Sequence, residues 1–182
     1  MSCQPNLLTK VYHWLKSKQN CLLCDEPSLR LLALCEACES DLPWLGWHCS
    51  QCALPMPDQP SLCADCTHNP PVFDQVITPL QFTFPVDSLI SRFKYRQHWP
   101  YGQLLSILLA QHLRFYFDEG GRRPDLMLAV PLAKRRQRQR GYNQAQMICN
   151  WLSTSLQLDN PQRLLLRSRE TISQQGLSAK AR

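Results

Sequence analysis

"AVPLAKRRQRQRGYNQ", residues 129–144, carries four apolar residues and a proline into five cationic residues within seven positions. The run that leads into it, "DLMLAVP" (125–131), is almost continuously apolar, which predicts a strand buried on both faces. The run that follows, "NQAQMICNWLSTSLQ" (143–157), sets Met147, Ile148, Trp151, Leu152 and Leu156 on one helical stripe. "RLLLRS" (163–168) adds a further candidate strand. Strand, loop, helix, strand is the order of an α/β domain with a parallel sheet. Residues 134–140 then read as a loop at the carboxyl edge of that sheet, where open α/β sheets bind ligands. Lys134, Arg135, Arg136, Arg138 and Arg140 would concentrate phosphate there, and arginine suits bidentate contacts. Gly141 permits positive φ or a close backbone approach. Asn143 suits the cap of the next helix, whose first N–H groups favour an anion. A solvated basic loop with a well-made helix cap is the plain alternative.

Working toward the N-terminus, "YGQLLSILLAQHLRFYF" (101–117) is the clearest helix, with Tyr101, Leu104, Leu105, Leu108, Leu109, His112, Phe115 and Tyr116 in register. Gly120, Gly121 and Pro124 stop it. "VDSLISRFKYRQ" (86–97) predicts a shorter helix, and "QVITPLQFTF" (75–84) a β-rich stretch broken at Pro79. Asn69-Pro70-Pro71 reads as a domain joint. Charge divides near the same point. Residues 1–75 hold 4 Lys/Arg and 8 Asp/Glu, whereas residues 76–182 hold 16 and 6, within a net charge of +6. Such asymmetry points to two regions with different tasks and to an anionic partner for the second.

Upstream of the joint the chain is ruled by cysteine. Nine of its ten cysteines lie in the first 66 residues, and eight form four Cys-x-x-Cys pairs: Cys21/Cys24, Cys35/Cys38, Cys49/Cys52 and Cys63/Cys66. Zinc takes four tetrahedral ligands, and a tight turn at this spacing brings two thiolates to one ion. Eight ligands make two structural Zn²⁺ sites, each coupling roughly 10–16 kcal/mol of apparent binding free energy to folding. A disulfide framework or a set of redox pairs would be the other readings. Met1 to Asn20 lacks the apolar core of a secretory signal, which argues against the first. A redox pair needs no three further copies. Consecutive pairs sharing a zinc and alternate pairs in a cross-brace both satisfy the spacing. Zinc turns often place glycine just after the second cysteine, yet here stand Asp25, Glu39, Ala53 and Thr67. His48 and His68 lie near cysteines but are not needed as ligands, His13, His98 and His112 form no ligand pair, and Cys3 and Cys149 fall outside the pattern, the latter as a small core residue. No run of 18 apolar residues offers a membrane span, and the whole pattern is that of a cytoplasmic chain.

The cysteine array, then "RFKYRQ", "AVPLAKRRQRQRGYNQ" and "LLLRSRETISQQGLSAKAR", resembles the ComF/GntX family of phosphoribosyltransferase-like proteins linked to competence and the use of external DNA. The resemblance spans most of the chain. It implies a double zinc ribbon or zinc-finger module over 1–70 and a phosphoribosyltransferase-like domain over 71–182. It further implies a pyrophosphate-side segment at Pro131 to Gly141, with Arg140, Gly141, Asn143 and Gln144 matching its signature. Arg167, Thr171, Gln174 and Arg182 match a downstream pattern. Ala129 departs from the family's more usual proline. The family's PRPP loop, an acidic pair followed by Thr/Gly, is expected beyond Arg182, and the 182 residues contain neither Asp-Asp nor Thr-Thr-Gly. The chain therefore resembles a member lacking its C-terminal portion, with only part of its sheet. It is expected not to turn over PRPP by itself; Mg²⁺ and PRPP are cofactors only for a complete member, and no catalytic residue is assigned. Two readings compete with a transferase. One is a zinc-containing nucleic-acid-binding or adaptor protein, its partners single-stranded DNA, a phosphorylated small molecule or a competence-machinery protein. There "RFKYRQHW" (92–99) interleaves cations with aromatics, and Tyr95, Trp99 and Tyr142 are candidates to stack on bases. The other is a zinc-dependent scaffold with no ligand.

Overall fold

Each of the first four paired cysteines is followed 28 positions later by one of the second four, and the backbone repeats with the same period. The computed structural model describes residues 19–28, 30, 32–59, 61–162 and 164–168. In the first unit, strands β1 (Gln19–Asn20) and β2 (Pro27–Ser28) pair antiparallel around the Cys21/Cys24 turn. Helix α1 (Glu36–Ser40) starts at Cys35. In the second unit an antiparallel bridge, His48 to Pro55, closes the Cys49/Cys52 turn. Helix α2 (Ala64–His68) starts at Cys63. The turn bonds match unit for unit. Cys21 N–H donates to Glu26 O at 2.8 Å and Cys49 N–H to Leu54 O at 2.8 Å.

Four helices follow among the described residues: α3 (Val86–Arg96), α4 (Trp99–Asp118), α5 (Lys134–Arg140) and α6 (Gln144–Leu156). The two long helices expected from periodicity are present, and α6 as well. The small residues of α4 matter as much as its leucines. Gly102, Ser106 and Ala110 are all buried, and they let neighbouring elements come close. A Cβ at Gly102 would lie 2.5 Å from the Phe93 ring, which is itself buried. Gly102→Ala should therefore cost about 1–3 kcal/mol through overpacking, seen as a lower thermal midpoint with zinc content unchanged.

One apolar cluster joins the first cysteine unit to these helices. Cys21, Leu32, Leu34 and Leu42 share it with Leu80, Leu89, Phe93, Leu104 and Leu108. It thus runs across the proline joint at residues 69–71. A second cluster of Ala110, Leu152, Leu156 and Leu158 packs α4 on α6. Among the described residues the second cysteine unit forms a cluster of its own: Cys49, Cys63 and Cys66, with Cys52 and Met56 against them.

The strand expectations fare differently. Residues 75–84 form no strand; Leu80 makes one antiparallel bridge with Trp44, and the rest is irregular. Residues 125–131 make one parallel bridge, Leu126 to Asp159, with Met127 N–H donating to Asp159 O at 2.8 Å. Val130 is 68% exposed, so this is not a strand buried on both faces. A parallel strand is specified by its neighbours, and among the described residues Asp159 alone bridges to this one. Residues 164–168 are irregular and exposed rather than extended in a sheet. A phosphoribosyltransferase-type parallel sheet is accordingly not displayed; the described sheet is the two-stranded β1–β2 pair. The segment 134–140, read as a loop, is helix α5. Lysine, arginine and glutamine are all good helix formers, and the breaker comes only at Gly141, whose φ of 79° forms the left-handed C-cap.

Candidate metal centres and a cationic face

Two four-cysteine clusters are built from consecutive pairs: Cys21, Cys24, Cys35 and Cys38, and then Cys49, Cys52, Cys63 and Cys66. This selects the consecutive scheme over the cross-brace. All four sulfurs of each cluster lie within 4.8 Å of one another. Cys24 Sγ and Cys35 Sγ stand 3.7 Å apart, as do Cys52 Sγ and Cys63 Sγ. Zn–S bonds of about 2.3 Å in a tetrahedron give edges of roughly 3.8 Å, so the donor sets fit zinc in both chemistry and size. Backbone donors are already aimed at the sulfurs. Cys38 N–H points to Cys35 Sγ at 3.4 Å and Cys63 N–H to Cys49 Sγ at 3.3 Å. Amides of Cys52 and Cys63 hold the Cys49 thiol down to about 6, favouring thiolate. Burial and the neighbouring thiols push Cys38 and Cys66 up. Four thiolates in so small a space repel one another, and a divalent cation resolves that conflict.

The first turn of each unit ends in a left-handed residue, Asp25 with φ 64° and Ala53 with φ 61°. These are positions where glycine is often found. Glu39 and Thr67, the other two, lie in α1 and α2 and need no such conformation. Ala53→Gly should relieve about 1 kcal/mol of strain. The expected readout is roughly fivefold tighter retention of one zinc per chain in chelator competition. His48 and His68 are engaged elsewhere: their Nδ1 atoms bond Gly46 O and Ala64 O, each at 2.7 Å. Cys149 is buried on α6, its thiol pushed up by burial. Cys3 and His13 lie outside the described residues, as do Thr171, Gln174 and Arg182.

Five cations line α5, whose last residue, Arg140, meets the end of α3. Lys134, Arg135 and Arg138 are exposed, and Arg136 and Arg140 are half-buried. Like charges at spacings of three and four along so short a helix each cost about 0.2–0.5 kcal/mol, a cost that a polyanion removes. The Arg-Gly-Tyr-Asn-Gln segment is a latch. Tyr142 OH donates to Phe93 O. Gln144, buried, donates to Lys94 O at 3.4 Å and accepts from Arg140 Nη1 at 3.2 Å. Gln97 Nε2 donates to Arg140 O at 3.4 Å. Asn143 caps α6 by accepting from Ala145 N–H at 3.1 Å, and it donates to Val130 O at 3.1 Å. Gly141, Asn143 and Gln144 therefore shape the face, while the cations furnish its charge.

The sequence offers Lys94 among the cations of 92–99 but not its place beside Arg140, where the latch sets it. Burial and the Arg140 charge hold its ammonium below the ordinary lysine value. The Arg140 guanidinium lies 4.9 Å from the Tyr95 ring centre. Tyr142 is packed, edge-on to Trp99 at 6.3 Å and tilted against Phe93 at 5.8 Å. Tyr95 and Trp99 remain 53% and 55% exposed. Beside α5 opens a cleft of about 360 Å³ lined by Leu128, Pro131, Gln137, Asn143, Gln146 and Gln162. Among the described residues no helix is long and apolar enough to cross a membrane.

Comparison with known proteins supports the two zinc centres. The double zinc ribbon domain family matches residues 14–67. The chain is 30% identical over 164 residues to DNA utilization protein YhgH of Shigella flexneri, spanning 89% of this chain and 72% of that one. The same values hold for DNA utilization protein YhgH of Escherichia coli (strain K12). It is 29% identical over 150 residues to Competence protein F of Haemophilus influenzae, spanning 82% and 65%. No solved structure matches.

Proposed function

The chain belongs to the ComF family of DNA-utilisation and competence proteins, and from that premise we propose that it handles DNA, holding the phosphate backbone on the α3–α5 face. Residues 1–70 are the zinc-ribbon part and residues 71–182 the anion-binding part. The carrying observation is the juxtaposition of Lys94 with Arg140 beside the half-exposed rings of Tyr95 and Trp99. A cationic track flanked by rings is what a single strand needs: charge for the phosphates and a π-face for unstacked bases. Lys134, Arg135, Arg136, Arg138 and Arg140 supply the track, with Gly141, Asn143 and Gln144 fixing its geometry. Binding of a labelled thymidine oligonucleotide across salt concentrations tests this. Affinity should fall linearly on a log–log plot, with a slope of roughly −0.7 per phosphate contacted.

A second reading is favoured by the parallel bridge between Leu126 and Asp159, which encloses α5 and α6 in one crossover. That arrangement fits the nucleus of a phosphoribosyltransferase-like sheet, with the α5 cations on its pyrophosphate side. A complete site would use Mg²⁺ and PRPP. The 182 residues hold no adjacent acidic Asp-Asp pair to grip ribose hydroxyls. A polypeptide of this sequence is expected to bind pyrophosphate weakly and to release none from PRPP with any base offered. Steady release with a single base would overturn that expectation.

A further inference from the structure

Between Arg30 and Arg92 lie 61 consecutive residues without a lysine or arginine, and they include seven acids: Glu36, Glu39, Asp41, Asp58, Asp65, Asp74 and Asp87. Each zinc held by four thiolates adds a further net charge of about −2. A polyphosphate would be repelled from this region. The same stretch is also unusually apolar outside. Within the second ribbon Trp47, Leu54 and Leu62 are 57%, 51% and 49% exposed, and Phe73 follows at 46%. Hydrogen bonds hold the backbone that carries them. Met56 N–H bonds Trp47 O at 2.8 Å, and Ser50 N–H bonds Ser61 O at 3.1 Å. Gln51 Nε2 reaches Phe73 O at 3.1 Å. A ribbon whose interior is cysteine and Met56 leaves its large apolar side chains on the outside.

We propose that the second zinc ribbon is a protein-docking surface for a cationic polypeptide segment bearing apolar anchors. Trp47, Leu54, Leu62 and Phe73 receive the anchors, and Asp58, Asp65 and Asp74 receive the charge. Exposed apolar groups in a stretch that carries a single sign of charge select a partner of the opposite sign. The basic half of the chain stays free for nucleic acid.

The test uses the full zinc-loaded chain and two 16-residue probes of equal positive charge. One alternates lysine and leucine; the other replaces each leucine with glycine. The leucine probe should bind at least about tenfold tighter, and Trp47→Ala should weaken it about fivefold or more while zinc content holds. Asp58→Asn with Asp74→Asn should weaken both probes. Neither change should weaken binding of a thymidine oligonucleotide. Equal affinity for the two probes, or indifference to Trp47→Ala, overturns the proposal. So does a loss of oligonucleotide binding in Trp47→Ala, since the occupant would then be nucleic acid. A dimer in sedimentation that Trp47→Ala converts to monomer overturns it too, by making a second copy the occupant.

Discussion

Cys38→Ser should unfold the whole chain, whereas Cys66→Ser should leave the helices standing with one zinc per chain. The difference follows from what each ribbon touches. The first contributes Cys21, Leu32, Leu34 and Leu42 to the same cluster as Leu89, Phe93, Leu104 and Leu108. The second packs chiefly on its own sulfurs and Met56. A structural zinc couples roughly 10–16 kcal/mol of apparent binding free energy to folding, and a domain's net stability is about 5–15 kcal/mol. Loss of the first zinc therefore exceeds what the helices hold in reserve. Loss of the second is confined to a unit tied down at its base by Leu45 N–H to Pro79 O at 2.8 Å and Gln81 N–H to Pro43 O at 2.9 Å. Far-UV circular dichroism with zinc analysis reads both. Retention of cooperative melting in Cys38→Ser would refute the asymmetry.

Replacing Arg135, Arg136, Arg138 and Arg140 together with glutamine should leave the fold intact and flatten the salt dependence of single-strand binding. Each arginine in contact with phosphate carries roughly 0.7 of the log–log slope. Glutamine keeps helix propensity, so α5 is not removed by the change. Arg140 has a second task, since its side chain bonds Gln144. The triple variant that spares Arg140 separates the two. It should lose most of the slope while the helical circular dichroism is kept. A slope equal to that of the parent chain would remove α5 from the interface.

The ribbons were legible because zinc chemistry dictates spacing: a thiolate pair needs two cysteines close in the chain, and the sequence repeats that spacing four times. Which pairs share an ion was not legible, since both schemes satisfy the same spacing, and three-dimensional proximity alone selects one. The left-handed backbone at Asp25 and Ala53 was hidden for a related reason, because glycine's absence concealed a glycine-like conformation. Helices α3, α4 and α6 followed from the period of their apolar residues. The small-residue face of α4, Gly102, Ser106 and Ala110, did not, because small residues carry little hydropathy signal. Residues 134–140 were misread as a loop although nothing in them breaks a helix before Gly141. The apolar runs at 75–84 and 125–131 had the composition of strands, but a strand needs partners, and composition says nothing of them. The pairing of Lys94 with Arg140 joins residues far apart in the chain and could not be read from either segment alone.

The central claim concerns where the strand of DNA lies. Photo-crosslinking of a 4-thiothymidine oligonucleotide to the zinc-loaded chain, followed by peptide mapping, tests it most directly. The account predicts adducts at Tyr95, Trp99 and within 134–142, lost as salt rises. Adducts concentrated in the ribbon between Trp47 and Phe73, with none on α3 or α5, would contradict it.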